Sequence, residues 1–351
     1  MTSKQEKIKS FDPSSAALTA GQIFGLPFDE HESDLVLVQV PWEVTVSYGS
    51  GTSAGPNHIF HSSFQVDLSH PEFPSLWKSG IAMLEDSLEI RSRSDLLKEK
   101  AASIIQACEK GLVIEEHQDL RSLLAEVNAG CEGMVNDVER LVGEWLDKGK
   151  TVGLLGGDHS TPLGFLRALA KRHESFGILH IDAHMDLRIA FEGFTYSHAS
   201  IMYNALQLPN ISTLVQVGIR DFCEEELSVV KANQGRVVVH TDAEIQRASF
   251  EGETWKKRCD AILSALPEKV YISFDIDGLD PTLCPNTGTP VPGGLGFQQA
   301  TYLLSRLKDT KQVIGFDLVE VAPGDDDWNG NVGARLLYHL CGVALSAGSR
   351  K

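Results

Sequence analysis

Phe176-Gly177-Ile178-Leu179-His180-Ile181-Asp182-Ala183-His184-Met185-Asp186 joins an apolar run to three side chains able to ligate a metal. Residues 176–181 read as a buried strand. Beyond them, Asp182, His184 and Asp186 stand at i, i+2 and i+4, and in extended backbone such side chains leave one face. Two more apolar runs end in the same way: residues 270–274 lead into Asp275-Ile276-Asp277, and residues 152–155 lead into Gly156-Gly157-Asp158-His159-Ser160. Open parallel α/β sheets gather ligands in the crevice beyond the carboxyl ends of their strands. His159, Asp182, His184, Asp186, Asp275 and Asp277 are therefore expected to converge.

Working outward, apolar runs predict further strands at 35–40, 81–84, 213–219, 236–240 and 312–316. Helical spacing predicts helices at 162–173, 252–266, 297–307 and 332–345. Residues 92–150 form a long amphipathic stretch in which Leu123, Leu124, Val127, Met134, Val138, Leu141, Val142 and Trp145 recur at helical intervals. The alternation implies a mostly parallel sheet covered on both faces, a single three-layer α/β/α domain over residues 31–351 preceded by a loosely attached arm over 1–30. Gly293-Gly294-Leu295-Gly296 follows a loop rather than a strand, so it is no dinucleotide fingerprint.

The chain has 351 residues and a formal net charge of -17, which argues against nucleic acid or an anionic membrane as partner and favours a cationic substrate. Its six cysteines lack CxxC spacing and read as reduced thiols. No signal-peptide pattern opens the sequence, and no apolar run reaches the about 18 residues of a membrane span, so a cytoplasmic protein is expected. Four aspartates and two imidazoles in a dry cluster require neutralisation, and two divalent cations would balance the charge. A donor set rich in oxygen, with some nitrogen and no thiolate, suits Mn²⁺ best, with Ni²⁺, Co²⁺ or Zn²⁺ as alternatives. Such a pair of ions generates a nucleophile from water at neutral pH.

In order and spacing, Gly156 to Ser160, Asp182-Ala183-His184-Met185-Asp186 and Ser273-Phe274-Asp275-Ile276-Asp277-Gly278-Leu279-Asp280-Pro281 resemble the three metal signatures of the ureohydrolases, the family of arginases and agmatinases. The resemblance runs from about residue 34 to about residue 345, and implies the arginase-like fold and a homo-oligomer, a trimer or hexamer. Thr287 to Leu295 resembles the family's substrate-side loop, and Gly315 to Pro323 resembles the strand end that presents its guanidinium-binding glutamate, which is Glu320 here. His198 occupies the place of the family's proton-relay histidine, and Asp186 is implied as a second proton carrier.

Arginases carry an asparagine two positions after the last central ligand; here that position is Arg188, which argues against arginine as substrate. Arg188 pairs either with a substrate carboxylate or with an internal partner. The expected reaction is hydrolysis of a guanidino compound to urea and an amine, with agmatine the first candidate and Asp221, Glu224 and Glu225 available to its distal ammonium. Formiminoglutamate, guanidino acids and guanidine are the alternatives. Outside this class stand a zinc deacetylase, which would drop the second-metal ligands retained here, and a metal-binding protein without turnover.

Overall fold

The computed structural model describes residues 3–17 and 21–346. Eight parallel strands form one sheet in the order β2-β1-β3-β8-β7-β4-β5-β6. They are β1 Leu35–Val40, β2 Ile81–Met83, β3 Thr151–Gly156, β4 Phe176–Ile181, β5 Ile211–Ile219, β6 Val237–Thr241, β7 Lys269–Asp275 and β8 Gln312–Val319. The α-helices are α1 Lys4–Ser10, α2 Gly55–Ser63, α3 Leu88–Glu109, α4 Gln118–Asp147, α5 Leu163–Ala170, α6 Ile201–Leu206, α7 Glu224–Ala232, α8 Asp242–Phe250, α9 Trp255–Ser264, α10 Phe297–Thr310 and α11 Trp328–Ser346.

Alternation along the strands splits the core in two. In β1, Leu35 and Leu37 face a cluster with α2, α10 and α11, whereas Val36, Val38 and Val40 face one with α3, α4 and α5. Strands buried on both faces read as near-continuous apolar runs, which explains why the inner strands were visible in the sequence, while the edge strand β6, buried only at Val237, was legible from its run of valines. The helices were less so. The amphipathic stretch 92–150 is made of two helices, α3 and α4: α3 ends at Glu109, and Gly111, at φ 76°, turns the chain while Leu112 N–H returns to Ala107 C=O at 3.0 Å. From α4, Val127, Met134, Val138, Val142 and Trp145 are buried against the sheet. The short helix α7 buries only Glu226 among its residues and carries almost no apolar periodicity to read.

Of the expected N-terminal arm, residues 1–2 and 18–20 lie outside the described residues, as do 347–351 of the expected domain. The remainder is packed more closely than a loose arm. Ile23, Phe24, Leu26 and Phe28 are buried in the core, and Lys4 on α1 pairs with Asp34 at 2.8 Å. Among the described residues, no helix is long and apolar enough to cross a membrane.

One glycine fixes how β3 turns into its loop. Gly157 N–H donates to Val40 C=O at 3.0 Å, and a Cβ at this position would lie 1.8 Å from the Trp42 carbonyl oxygen. Because the near atoms all belong to the Trp42 backbone, whose carbon and nitrogen would also stand 2.7 Å away, Gly157→Ala is expected to lower stability by about 1–3 kcal/mol. Chemical denaturation checks this; an unchanged midpoint would show that the loop can move.

Candidate metal centre

Strands β3, β8, β7 and β4 are consecutive in the sheet although far apart in sequence. Neighbouring strands lie about 4.8 Å apart, so the segments leaving their carboxyl ends bring His159, Glu320, Asp275 and Asp182 side by side. His159 Nδ1 lies 3.0 Å from Asp182 Oδ2, 3.1 Å from Asp186 Oδ2 and 3.3 Å from Asp275 Oδ2. Nearby, His184 Nδ1 is 3.1 Å from Asp277 Oδ2 and 3.4 Å from Asp182 Oδ1. All six residues expected to converge do so, and Asp182 belongs to both groups.

Local backbone explains the convergence. The chain leaves β7 in a tight turn, where Asp275 Oδ1 accepts from Asp277 N–H at 2.8 Å while Asp277 Oδ1 accepts from Ala183 N–H at 3.0 Å. Gly278 permits this approach, because a Cβ there would stand 2.7 Å from the backbone nitrogen of Asp182. Asp186 adopts φ 55°, a left-handed conformation uncommon outside glycine. That turn presents its carbonyl to the amides of Met202 and Tyr203 at 3.0 and 3.1 Å on α6, while its carboxylate reaches back to His159.

Proton placement tests whether the donor set fits cations. Ser273 Oγ donates to Asp317 Oδ1 at 3.2 Å, so it accepts from His159 Nε2, 2.9 Å away. The proton of a neutral His159 is thereby placed on Nε2, and Nδ1, which is buried without a hydrogen-bond partner, presents a lone pair to three carboxylate oxygens. Four acceptors with no donor among them are satisfied by a cation.

Electrostatics of the protein atoms express the same demand. Burial opposes an imidazolium at His159, but Asp182, Asp186 and Asp275 overcome it and hold its pKa well above the ordinary range. Burial, then the charges of Asp277 and Asp182, push Asp275 well up. Burial and Asp182 raise Asp186 to about 6.

Beside this cluster lies a cavity of about 190 Å³ whose walls include Ser47, His184, Asp186, Arg188, Phe191, His198, Asp221, Phe222 and Thr289. His198 opens a short turn, His198–Ser200, whose cap is Ser197 Oγ accepting from Ala199 N–H at 3.3 Å. Burial, followed by the neighbouring imidazoles of His184 and His159, lowers the His198 pKa to about 4. Arg188 is stacked over Phe191, with its guanidinium carbon 4.9 Å from the ring centroid. Its side chain has no carboxylate partner among the described residues, so the internal ion pair expected as one alternative is absent.

Glu320 is buried, at φ 63°, with Oε1 accepting from His159 N–H at 2.8 Å. Burial and the charge of Asp158 push its pKa well up. Only Oε2 is left toward Gly288 of the 287–295 loop, where a Cβ would stand 3.3 Å away. Asp221 lines the cavity, whereas Glu224 and Glu225 do not.

Sequence reading passed over a second layer. His180, Gln216, Ser273 and Asp317 are fully buried. They stand in register across β5, β4, β7 and β8. The available signal was a polar residue inside each apolar run, two positions before Asp182 on β4 and Asp275 on β7.

The arginase family model matches residues 33–342. The N(1)-aminopropylagmatine ureohydrolase of Thermus thermophilus is 32% identical over 322 residues, covering 90% of this chain and 92% of that protein. The agmatinase of Neisseria meningitidis is 31% identical over 303 residues, covering 86% and 83%. Among solved structures, the agmatine ureohydrolase of Thermoplasma volcanium aligns with a TM-score of 0.71 at 23% identity, covering 97% of this chain and 98% of that one. The proclavaminate amidino hydrolase of Streptomyces clavuligerus aligns with a TM-score of 0.72 at 23% identity, covering 95% and 100%. With a family model matched across nearly its whole length and relatives above 30% identity at both ends of the comparison, this chain belongs to the arginase family.

Proposed function

We propose that this protein hydrolyses a guanidino compound to urea and an amine at a centre of two divalent cations, with agmatine the first candidate. The observation that carries the reading is the acceptor-only geometry around His159 Nδ1, in a chain whose relatives bear the names of ureohydrolases and agmatinases. His159, Asp182, Asp186 and Asp275 would hold one cation, and Asp182, His184 and Asp277 a second. Mn²⁺ suits these ligands best, ahead of Ni²⁺, Co²⁺ and Zn²⁺. When bound, such ions activate water and stabilise developing negative charge.

The chain's own groups do the rest. Water adds to the guanidinium carbon, the bond from that carbon to the alkyl-bearing nitrogen breaks, and the nitrogen leaves once protonated. His198, in the cavity wall and neutral because burial lowers its pKa to about 4, relays a proton to the departing nitrogen. Asp186 serves as a further proton carrier beside the water. Glu320 Oε2 accepts from the guanidinium and orients it.

A second reading has its own observation. Arg188 lines the cavity without a carboxylate partner among the described residues, which suits a guanidino acid better than the distal ammonium of agmatine. Reconstitution with Mn²⁺, Ni²⁺, Co²⁺ or Zn²⁺, followed by assays on agmatine, N(1)-aminopropylagmatine, guanidinobutyrate, guanidinopropionate, arginine, guanidine and formiminoglutamate, separates the readings. If Arg188 grips a substrate carboxylate, Arg188→Met raises KM for guanidinobutyrate at least tenfold, a loss of about 1.4 kcal/mol in binding. The same variant then leaves KM for agmatine unchanged or lower. Equal effects on both substrates would return Arg188 to a packing role on Phe191. Product release from none of them would leave a metal-binding protein without turnover.

A further inference from the structure

Asp182 is the carboxylate common to both ligand groups, and if it served a cation in each, both of its oxygens would have to be held in place. Its neighbours show how this is done. Oδ1 accepts from His184 N–H at 2.5 Å, and Oδ2 lies 2.7 Å from His180 Nε2. Whether that imidazole acts as a donor or as a metal ligand depends on which ring nitrogen carries its proton.

Gln216 settles the tautomer. Its Nε2 lies 2.7 Å from Met185 C=O, a backbone acceptor that fixes the amide orientation, and the same nitrogen lies 2.9 Å from His180 Nδ1. An amide NH₂ carries two protons, so it serves both contacts as donor and leaves His180 Nδ1 as acceptor. The reversed amide would set its oxygen against the Met185 carbonyl. His180 therefore carries its proton on Nε2 and donates it to Asp182. The cross-strand register puts His180 opposite Gln216 on the same face of the sheet, and both side chains are fully buried.

Proximity alone would group His180 with His159, Asp182 and Asp186 as a potential ligand. The tautomer argues otherwise, because a protonated Nε2 has no lone pair to give. We propose that His180, locked by Gln216, is a positioning residue that orients the shared carboxylate of Asp182 and takes no part as a ligand. With one donor on each oxygen, Asp182 keeps a further lone pair on each for a cation. The proposal rests on the two-cation reading and goes beyond it by assigning how the bridge is held.

The test is chelator competition on Co²⁺-loaded protein, read by the visible absorption of the bound ion and independent of turnover. His180→Phe fills the space without a donor and should weaken metal binding about 10–100-fold, as loss of an outer hydrogen-bond partner does. His180→Gln, whose amide nitrogen reaches the place of Nε2, should keep affinity near that of the unaltered protein and leave the spectrum unshifted. Gln216→Met frees the tautomer and should weaken binding in the same direction by a smaller factor. Unchanged affinity in the folded His180→Phe protein would overturn the proposal. Equal losses in His180→Phe and His180→Gln, with an altered spectrum, would make His180 a ligand and overturn it too. If His180→Phe does not fold, Gln216→Met and His180→Gln decide: weaker binding in the first with retention in the second supports the donor role, and any other pattern overturns it. Unaltered protein that takes up no Co²⁺ would instead defeat the two-cation reading.

Discussion

Replacing both Asp182 and Asp275 with alanine is expected to empty the centre of metal and reduce activity to background while the chain still folds. Asp182 contacts His159 and His184 from its two oxygens, and Asp275 contacts His159 from β7. Without them, one cation would be left with His159 and Asp186 and the other with His184 and Asp277, too few ligands for either. Folding should survive because the two changes offset: burial and the charges of Asp277 and Asp182 push Asp275 well up, so alanine there removes a crowded charge, whereas Asp182, despite its burial, is held well below the ordinary carboxylate range by His180, His159 and His184, contacts that alanine deletes. Metal analysis of the purified variant, with circular dichroism as the control for folding, checks this result. Metal content equal to that of the unaltered protein would put the ions elsewhere.

His198→Ala should lower kcat about 10²–10⁴-fold, the usual contribution of one positioned proton carrier, with metal content unchanged. The residue lines the cavity but belongs to neither group of metal-binding side chains, which separates its role from theirs. Burial and the adjacent imidazoles lower its pKa to about 4, so it is neutral near neutral pH, where an isolated histidine would be partly charged, and it can hold a proton only in passing to the departing nitrogen. Steady-state kinetics on metal-replete protein decides the matter. Undiminished kcat would remove His198 from the proton path, and a loss of metal with kcat would recast it as structural support.

What the sequence determined by itself was local. Each buried strand announced itself as an apolar run, which put Asp182, His184 and Asp186 at the end of one strand without any coordinates, but the shared face expected of extended backbone did not hold, because β4 ends at Ile181 and Asp186 turns left-handed at φ 55°. Short polar helices such as α7 escaped, since one buried residue leaves no period to detect. The tertiary structure alone decided which strands are neighbours: crossover connections insert β8 and β7 between β3 and β4, and only that order sets His159 against Asp182 and Asp275. It also decided that Arg188 has no carboxylate partner among the described residues and that His180 stands against Asp182, for the same physical reason. A side chain's charge and hydrogen-bonding capacity belong to its own residue, but its partner comes from another strand or loop, and strand order and register choose that partner.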